Sequence, residues 1–225
     1  MLFSSISFLY YFLPIVILCY FLAPKQVKNY VLLLASLFFY GWGESKYVFL
    51  MVGIIVIGYL LGLAIEQNQG TNRAKLFLGI AVAVDVLSLG YFKYADFFIG
   101  NFNAITGLSI PLLKIALPIG ISFYIFQILS YNIDVYRGNV KAQKNPFLLA
   151  TYVAMFPQLI AGPIVRYIDI EKQLKDRNHS IELIASGVQR FIIGLSKKVL
   201  LANALGECCA TFKASDEKSV LFFWM

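Results

Sequence analysis

Charge is scarce in this sequence, and so are histidine and cysteine; each shortage closes a class of function. Only 14% of the 225 residues are charged, while 60% are hydrophobic. Soluble domains are about a quarter charged and a little under half apolar. A water-soluble fold has too little interior to hide this much apolar surface. Lipid is the solvent that fits. There the backbone must pair internally, which leaves helices or closed barrels. The apolar stretches are long runs rather than alternating ten-residue strands, so the expected fold is all-α, a bundle of membrane-crossing helices. The single histidine, His179, lies in the polar run Lys175-Asp176-Arg177-Asn178-His179-Ser180 and reads as a solvated loop residue, not a base. Of three cysteines, Cys19 reads as a packing residue and Cys208–Cys209 as an interfacial pair without zinc-site spacing. No phosphate-binding glycine loop, His-Glu helix motif or nucleophile elbow occurs. Pattern alone therefore assigns no catalytic residue, no metal and no bound cofactor.

What is present is a basic excess, with a net charge of +7. The cations sit mostly between apolar runs, where retention on the cytoplasmic side and anionic lipid explain them, and nucleic-acid binding is set aside. The start, Met1 to Ser7, lacks a basic region and no small-residue cleavage site closes the first run, so that run reads as a retained helix. Five runs succeed one another: Phe8 to Leu22 with Pro14 inside, Tyr30 to Tyr40, Tyr47 to Ile65, Leu76 to Phe92 and Ile115 to Val135. A less regular stretch, Lys93 to Lys114, separates the last two. If all five cross, an outside N-terminus puts Lys25, Lys28, Arg73, Lys75, Arg137, Lys141 and Lys144 inside, against Lys46, Lys93 and Lys114 outside. That division favours the outside N-terminus.

The segment Phe147 to Val165 is apolar but interrupted by Pro157 and Pro163. Irregular backbone at membrane depth is tolerated only against protein or a water-filled cavity, so a re-entrant hairpin is expected, with a kinked span as the alternative. Leu183 to Leu205 carries Arg190, Lys197 and Lys198 on one helical face, as in a basic amphipathic interfacial helix. A further apolar run begins at Ser219 and stops at Met225, which suggests a fragment.

Polar residues inside apolar runs are the best functional clues, because burying them in lipid is unfavourable. Asp85 is expected to pack against a basic residue elsewhere in the bundle, with Lys93 as the local candidate. Gln127 and Tyr131 share a helical face and either line a polar cavity or form an interhelical hydrogen-bond cluster. Arg166 suits an anionic headgroup, a substrate phosphate, or a snorkelling position at the interface. The candidate cavity-lining set is Gln127, Tyr131, Gln158 and Arg166.

Several blocks, in order, resemble membrane-bound O-acyltransferases, nearest the alginate O-acetyltransferase-like bacterial branch. They are 117–127 (LPIGISFYIFQ), 130–138 (SYNIDVYRG), 156–167 (FPQLIAGPIVRY), 90–94 (GYFKY), 190–199 (RFIIGLSKKV) and the opening 1–5 (MLFSS). The resemblance implies one domain over 1–225, the N-terminal part of an enzyme that moves an acyl group onto hydroxyls of an exported polysaccharide or cell-envelope acceptor. It implies an acyl-CoA or acyl carrier as co-substrate, an exported acyltransferase as a partner and the bacterial inner membrane as the location. Such enzymes use histidine motifs that come later; His179 matches neither, so this chain alone is expected to be inactive. A transporter or flippase-like module, or an inactive membrane scaffold, is the alternative. A transporter should show paired broken segments, and only one is found.

Overall fold

The computed structural model describes residues 3–159, 162–177 and 179–214, and every element among them is helical. The apolar run at 219–225 lies outside the described residues. The chain divides into two compact units, Pro14–Arg177 and a second made of Leu2–Leu13 with the chain from Asn178.

The first unit holds α1 (Leu13–Leu22), α2 (Lys28–Gly43), α3 (Tyr47–Gln67), α4 (Asn72–Leu89), α5 (Ala95–Thr106), α6 (Ile121–Tyr136), α7 (Pro146–Ala154), α8 (Phe156–Leu159) and α9 (Tyr167–Lys175). Its centre is α6, packed on α3 and α4. Two glycines one turn apart on α3 set that contact. A Cβ at Gly58 would collide with the Ile128 side chain, and one at Gly62 would stand 2.9 Å from the Tyr131 ring and 3.1 Å from Asn132 Oδ1. Small residues at i, i+4 let two helix backbones approach closely in lipid, where packing rather than hydrophobicity drives association. Such contacts run in step along the two helices, so α3 and α6 are parallel, with α4 antiparallel to both.

This register sorts the cations. At one end, the Tyr30 ring meets Phe147 at a tilt, 5.2 Å between centroids, Glu66 Oε1 accepts from Ala142 N–H at 3.1 Å, and Asn29 Nδ2 donates to Leu174 O at 2.8 Å. Lys28, Arg73, Lys75, Arg137, Lys141 and Lys144 belong to the helix ends and loop gathered there. At the other end, Tyr47 Oη donates to Ala116 O at 2.8 Å and its ring meets Phe92 at 6.0 Å, so Lys46, Lys93 and Lys114 collect there.

Two boundaries differ from the sequence reading. The stretch after Lys93 is helical: a π-helical turn, Gly90–Tyr94, carries α4 into α5, giving one apolar helix from Asn72 to Thr106. The apolar run at 115–120 is not helical; α6 starts only after Pro118 and Gly120. Gly120 has φ +76°, and a Cβ there would stand 2.6 Å from Leu159 O, so this turn needs glycine both for its backbone and for its approach to α8. Before α1, a π-helical turn over Ser7–Phe12 lets Leu13 N–H reach Phe8 O just where Pro14 offers no donor.

The interrupted segment breaks at Met155, whose φ −53°, ψ 113° is not helical. Two of the backbone groups loosened by the break are satisfied by side chains. Phe156 N–H donates to Ser36 Oγ of α2 at 3.1 Å, while Ser36 Oγ donates to Leu32 O at 2.7 Å. Gln158 Nε2 donates to Tyr152 O. Pro157 falls in the first turn of α8, where no donor is needed.

The second unit contains α10 (Ile181–Ser196), a π-helical turn Lys197–Ala202 and α11 (Asn203–Ala214), one helix longer than the sequence reading at both ends. Ser180 caps it, accepting from Leu183 N–H at 3.1 Å. Ile181, Val188, Ile192 and Leu200 on α10 and the turn after it are exposed, as are Arg190 and Lys197, while Lys198 is half-buried.

Two sets of substitutions test this packing by thermal unfolding of the full chain in detergent. Gly62→Val should destabilise by about 1–3 kcal/mol through overpacking against Tyr131 and Asn132, whereas Gly53→Ala, whose Cβ meets nothing within 4 Å, should be neutral or slightly stabilising. Ser36→Ala leaves the buried Phe156 N–H unmet and should cost about 1–3 kcal/mol. Equal melting temperatures for Gly62→Val and wild type would remove the close-approach account.

Candidate functional site

The polar layer at the cation-rich end of α6 forms around Tyr131, Tyr152 and Tyr167, all fully buried. Tyr167 stands edge-on to both other rings, at 5.1 Å from Tyr131 and 5.4 Å from Tyr152. Such edge contacts are favourable because the positive ring edge meets the negative face. The loop after α6 threads through the layer by hydrogen bonds. Tyr131 Oη accepts from Gln143 N–H at 2.8 Å, and Gln143 Nε2 donates to Tyr167 Oη at 2.8 Å. Gln143 Oε1 accepts from Asn145 N–H at 3.1 Å, and Tyr59 Oη of α3 donates to Lys144 O at 2.8 Å. On the other side Tyr152 Oη donates to Val165 O at 2.7 Å, fixing the extended chain that leaves the interrupted segment. Burial pushes the Tyr167 phenol up to about 12, with the hydrogen bond from Gln143 pulling it part of the way back. It stays protonated at neutral pH and serves as a hydrogen-bonding group.

Arg166 closes the layer. Its Nη2 lies 2.5 Å from Asp134 Oδ1 and its Nε 3.3 Å from Oδ2. Asp134 also accepts from Asn139 Nδ2 at 3.2 Å. The pair is lopsided: the Asp134 side chain is 2% exposed and that of Arg166 49%. The hydrogen bond to Asp134 and its charge raise the Arg166 pKa further above the ordinary arginine value. The guanidinium thus answers a buried carboxylate while half of it remains accessible.

The structure therefore brings three of the four sequence candidates together. Tyr131 and Arg166 belong to this layer, and Gln158 holds the Tyr152 carbonyl on its other side. Gln127 lies one turn back from Tyr131, 1% exposed, with Oε1 unpartnered among the described residues. Asn132 is fully buried with neither amide atom partnered among them, against the Gly58–Gly62 face. Asp85 departs from expectation. It is 3% exposed and pairs with no cation among the described residues, and its Oδ2 lacks a hydrogen bond there. The local candidate, Lys93, instead sits over the Tyr94 ring at 5.3 Å. His179 is exposed between α9 and α10, as the sequence suggests.

Sequence reasoning passed over Asp134 as the partner of Arg166, and over Gln143, Tyr167 and Ser36. A visible signal did exist for the α3–α6 contact, the small-residue spacing of Gly58 and Gly62. Nothing in the local sequence marks Gln143 as the link between two tyrosines.

Comparison with known proteins gives one consistent result. The chain is 41% identical over 210 residues to a probable alginate O-acetylase of Pseudomonas syringae pv. tomato, covering 91% of this chain and 40% of that protein. It is 42% identical over 210 residues to a probable alginate O-acetylase of Azotobacter vinelandii, covering 91% and 42%. A peptidoglycan O-acetyltransferase of Helicobacter pylori is 37% identical over 235 residues, covering 90% and 45%. The chain thus spans about two fifths of the length of these relatives. No family model matches it, and no solved structure matches it.

The Arg166–Asp134 pair makes a measurable prediction. Arg166→Gln strands a buried carboxylate and should lower the melting temperature in detergent. Arg166→Gln combined with Asp134→Asn should recover part of that loss, because the uncompensated charge is gone. Additive losses in the double variant would mean that the two side chains do not act as a pair.

Proposed function

We infer, because this chain belongs over its matched residues to the membrane-bound O-acyltransferase family in its alginate O-acetylase branch, that it forms the N-terminal part of an enzyme acetylating an exported polysaccharide. The observation that carries this reading is identity of 41–42% to the O-acetylases over 91% of the chain. The acceptor is a hydroxyl of a cell-envelope or exported glycan. The donor is an acyl-CoA or acyl carrier reaching the protein from the cytoplasm. An exported acyltransferase is the further partner of this reading.

The structural support is the separation of two tasks. Two helices, Tyr47–Gln67 and Asn72–Thr106, are long and apolar enough to cross a bilayer. They carry the cation-rich end of the first unit toward the cytoplasm and the end with Lys46, Lys93 and Lys114 outward, with the N-terminus outside. The interrupted segment at Met155 dips into the membrane and returns as a re-entrant wall. Gln127, Tyr131, Gln158 and Arg166 flank the path along which donor and acceptor meet, and the helix Ile181–Ala214 rests on the cytoplasmic interface by its basic face. These residues hold and position; none is a base. General-base help to an acceptor hydroxyl suits a histidine titrating near neutral pH, and that group comes from beyond this chain.

The test is complementation in a strain lacking its polysaccharide O-acetylase. The complete reading frame containing this sequence should restore ester-linked acetate on the exported glycan, while the 225-residue chain should restore none. Acetylation by the short chain alone, or its absence with the complete frame and full membrane expression, overturns the assignment.

A further inference from the structure

The helix from Asn72 to Thr106 is too long for the bilayer it enters. Its 35 residues make about 52 Å at 1.5 Å per residue, against a hydrocarbon core of about 30 Å. The charge pattern says which part spans. From Lys75 to Lys93 the rise is about 27 Å, the thickness of the core. Lys93 sits over the Tyr94 ring, and Tyr91 and Tyr94 are exposed beside it, the combination found where helices leave the hydrocarbon. The π-helical turn falls at this level, and Tyr94, at φ −121° and ψ −2°, is bent away from helical geometry.

Helix α5, beyond that bend, is not built for water. Its Phe98, Phe102 and Ile105 fall on one ridge and are all exposed, Ile105 at 84%. Nor is it built for the hydrocarbon core. The chain from 107 to 118 returns along α5 without helical hydrogen bonds, as a strap tied down from α5's other face. Asp96 accepts from Leu113 N–H at 2.7 Å and Lys114 N–H at 3.0 Å. Asn103 brackets Ile110, accepting from its N–H at 3.1 Å and donating to its carbonyl at 2.8 Å. Gly107 N–H, Leu108 N–H, Ala116 O and Pro118 O also have partners; the strap's other backbone groups lie in mostly exposed residues and must find water or headgroups. At its base a cavity of about 120 Å³ opens between Phe92, Lys93, Asp96, Ile115 and Leu117, again mixing charge with apolar surface. Exposed apolar side chains on both α5 and the strap, Leu108, Leu112 and Leu113 among the latter, stand beside strap backbone without partners, and both needs are met together only at the boundary between acyl chains and headgroups.

We propose that α5 and its strap form an in-plane membrane anchor: the Phe98–Phe102–Ile105 ridge beds at the acyl–headgroup boundary, and Asp96, Asn103 and the strap backbone face headgroups and water. The occupant of this surface is the phospholipid of the protein's own bilayer. The inference rests on the reading that Asn72–Leu89 spans the membrane, and the experiment separates the two.

The full chain, with its cysteines replaced by serine, is spin-labelled singly at Ala83, Phe98, Ala104 or Ile105 after substitution by cysteine. It is reconstituted into vesicles of phosphatidylethanolamine and phosphatidylglycerol. Collision with oxygen and with a water-soluble nickel chelate gives the depth of each label. Ala83 should lie deep; Phe98 and Ile105 should be shallow, with oxygen-to-nickel ratios several-fold below that at Ala83 and several-fold above that at Ala104, which turns away from the ridge. Labels at 98 and 105 as deep as at 83 would make α5 part of the span, and labels as aqueous as at 104 would free the ridge from lipid; either overturns the anchor while leaving the span intact. An aqueous label at 83 would remove the span, and the anchor with it.

Discussion

The close approach of α3 to α6 at Gly58 and Gly62 sets the frame in which the other contacts are made. Without side chains at these positions, the α3 backbone reaches Ile128, Tyr131 and Asn132 directly. That contact fixes the height of α6 against α3, and the height decides which groups meet. Tyr59 then reaches the Lys144 carbonyl, and Glu66 reaches the Ala142 amide. With the loop held at those points, Gln143 is delivered between Tyr131 and Tyr167. A shift of one helical turn, about 5.4 Å, would separate each of these donors from its acceptor.

A second constraint, the need to satisfy backbone groups away from water, explains how the chain can be irregular inside an apolar protein. At Met155 the helix stops, and Ser36 and Gln158 take up the loosened groups. At the strap, Asp96 and Asn103 do the same for 110, 113 and 114. In both places two polar side chains substitute for a missing turn of helix, so polar residues in apolar runs need not be chemical groups. Gln158 shows the limit of reading such residues from sequence. It stands out as a polar residue between two prolines, yet it is only half-buried and its visible partner is a carbonyl six residues away.

The legible parts of this protein were those whose cause is local. Tyr47 opens α3 where the apolar run begins, and the segment Phe147 to Val165, expected to be interrupted, breaks at Met155; of the stretch bracketed by Pro157 and Pro163, 160–161 lie outside the described residues. The illegible parts depend on distant neighbours. The stretch Lys93 to Lys114 reads as less regular, but two of its polar residues, Asp96 and Asn103, serve the strap and leave α5 helical. Residues 115–117 are as apolar as any helix, yet the left-handed Gly120 and its contact with Leu159 place the start of α6 beyond them. Asp134 finds its cation 32 residues on, and no periodicity announces such a pairing. The likeness to O-acetylases was legible as well, because resemblance in ordered blocks survives where single side-chain roles do not.

The ties at the cation-rich end also set a timetable for biogenesis. Asn29 lies in the first helix-forming turns of α2, but it bonds Leu174 O and the Arg177 guanidinium. At roughly 5–20 residues per second of synthesis, on the order of ten seconds pass before those partners emerge. During that interval the polar end of α2 lacks these two partners, so assembly of this polypeptide is a process of deferred locking, completed from its later segments backward.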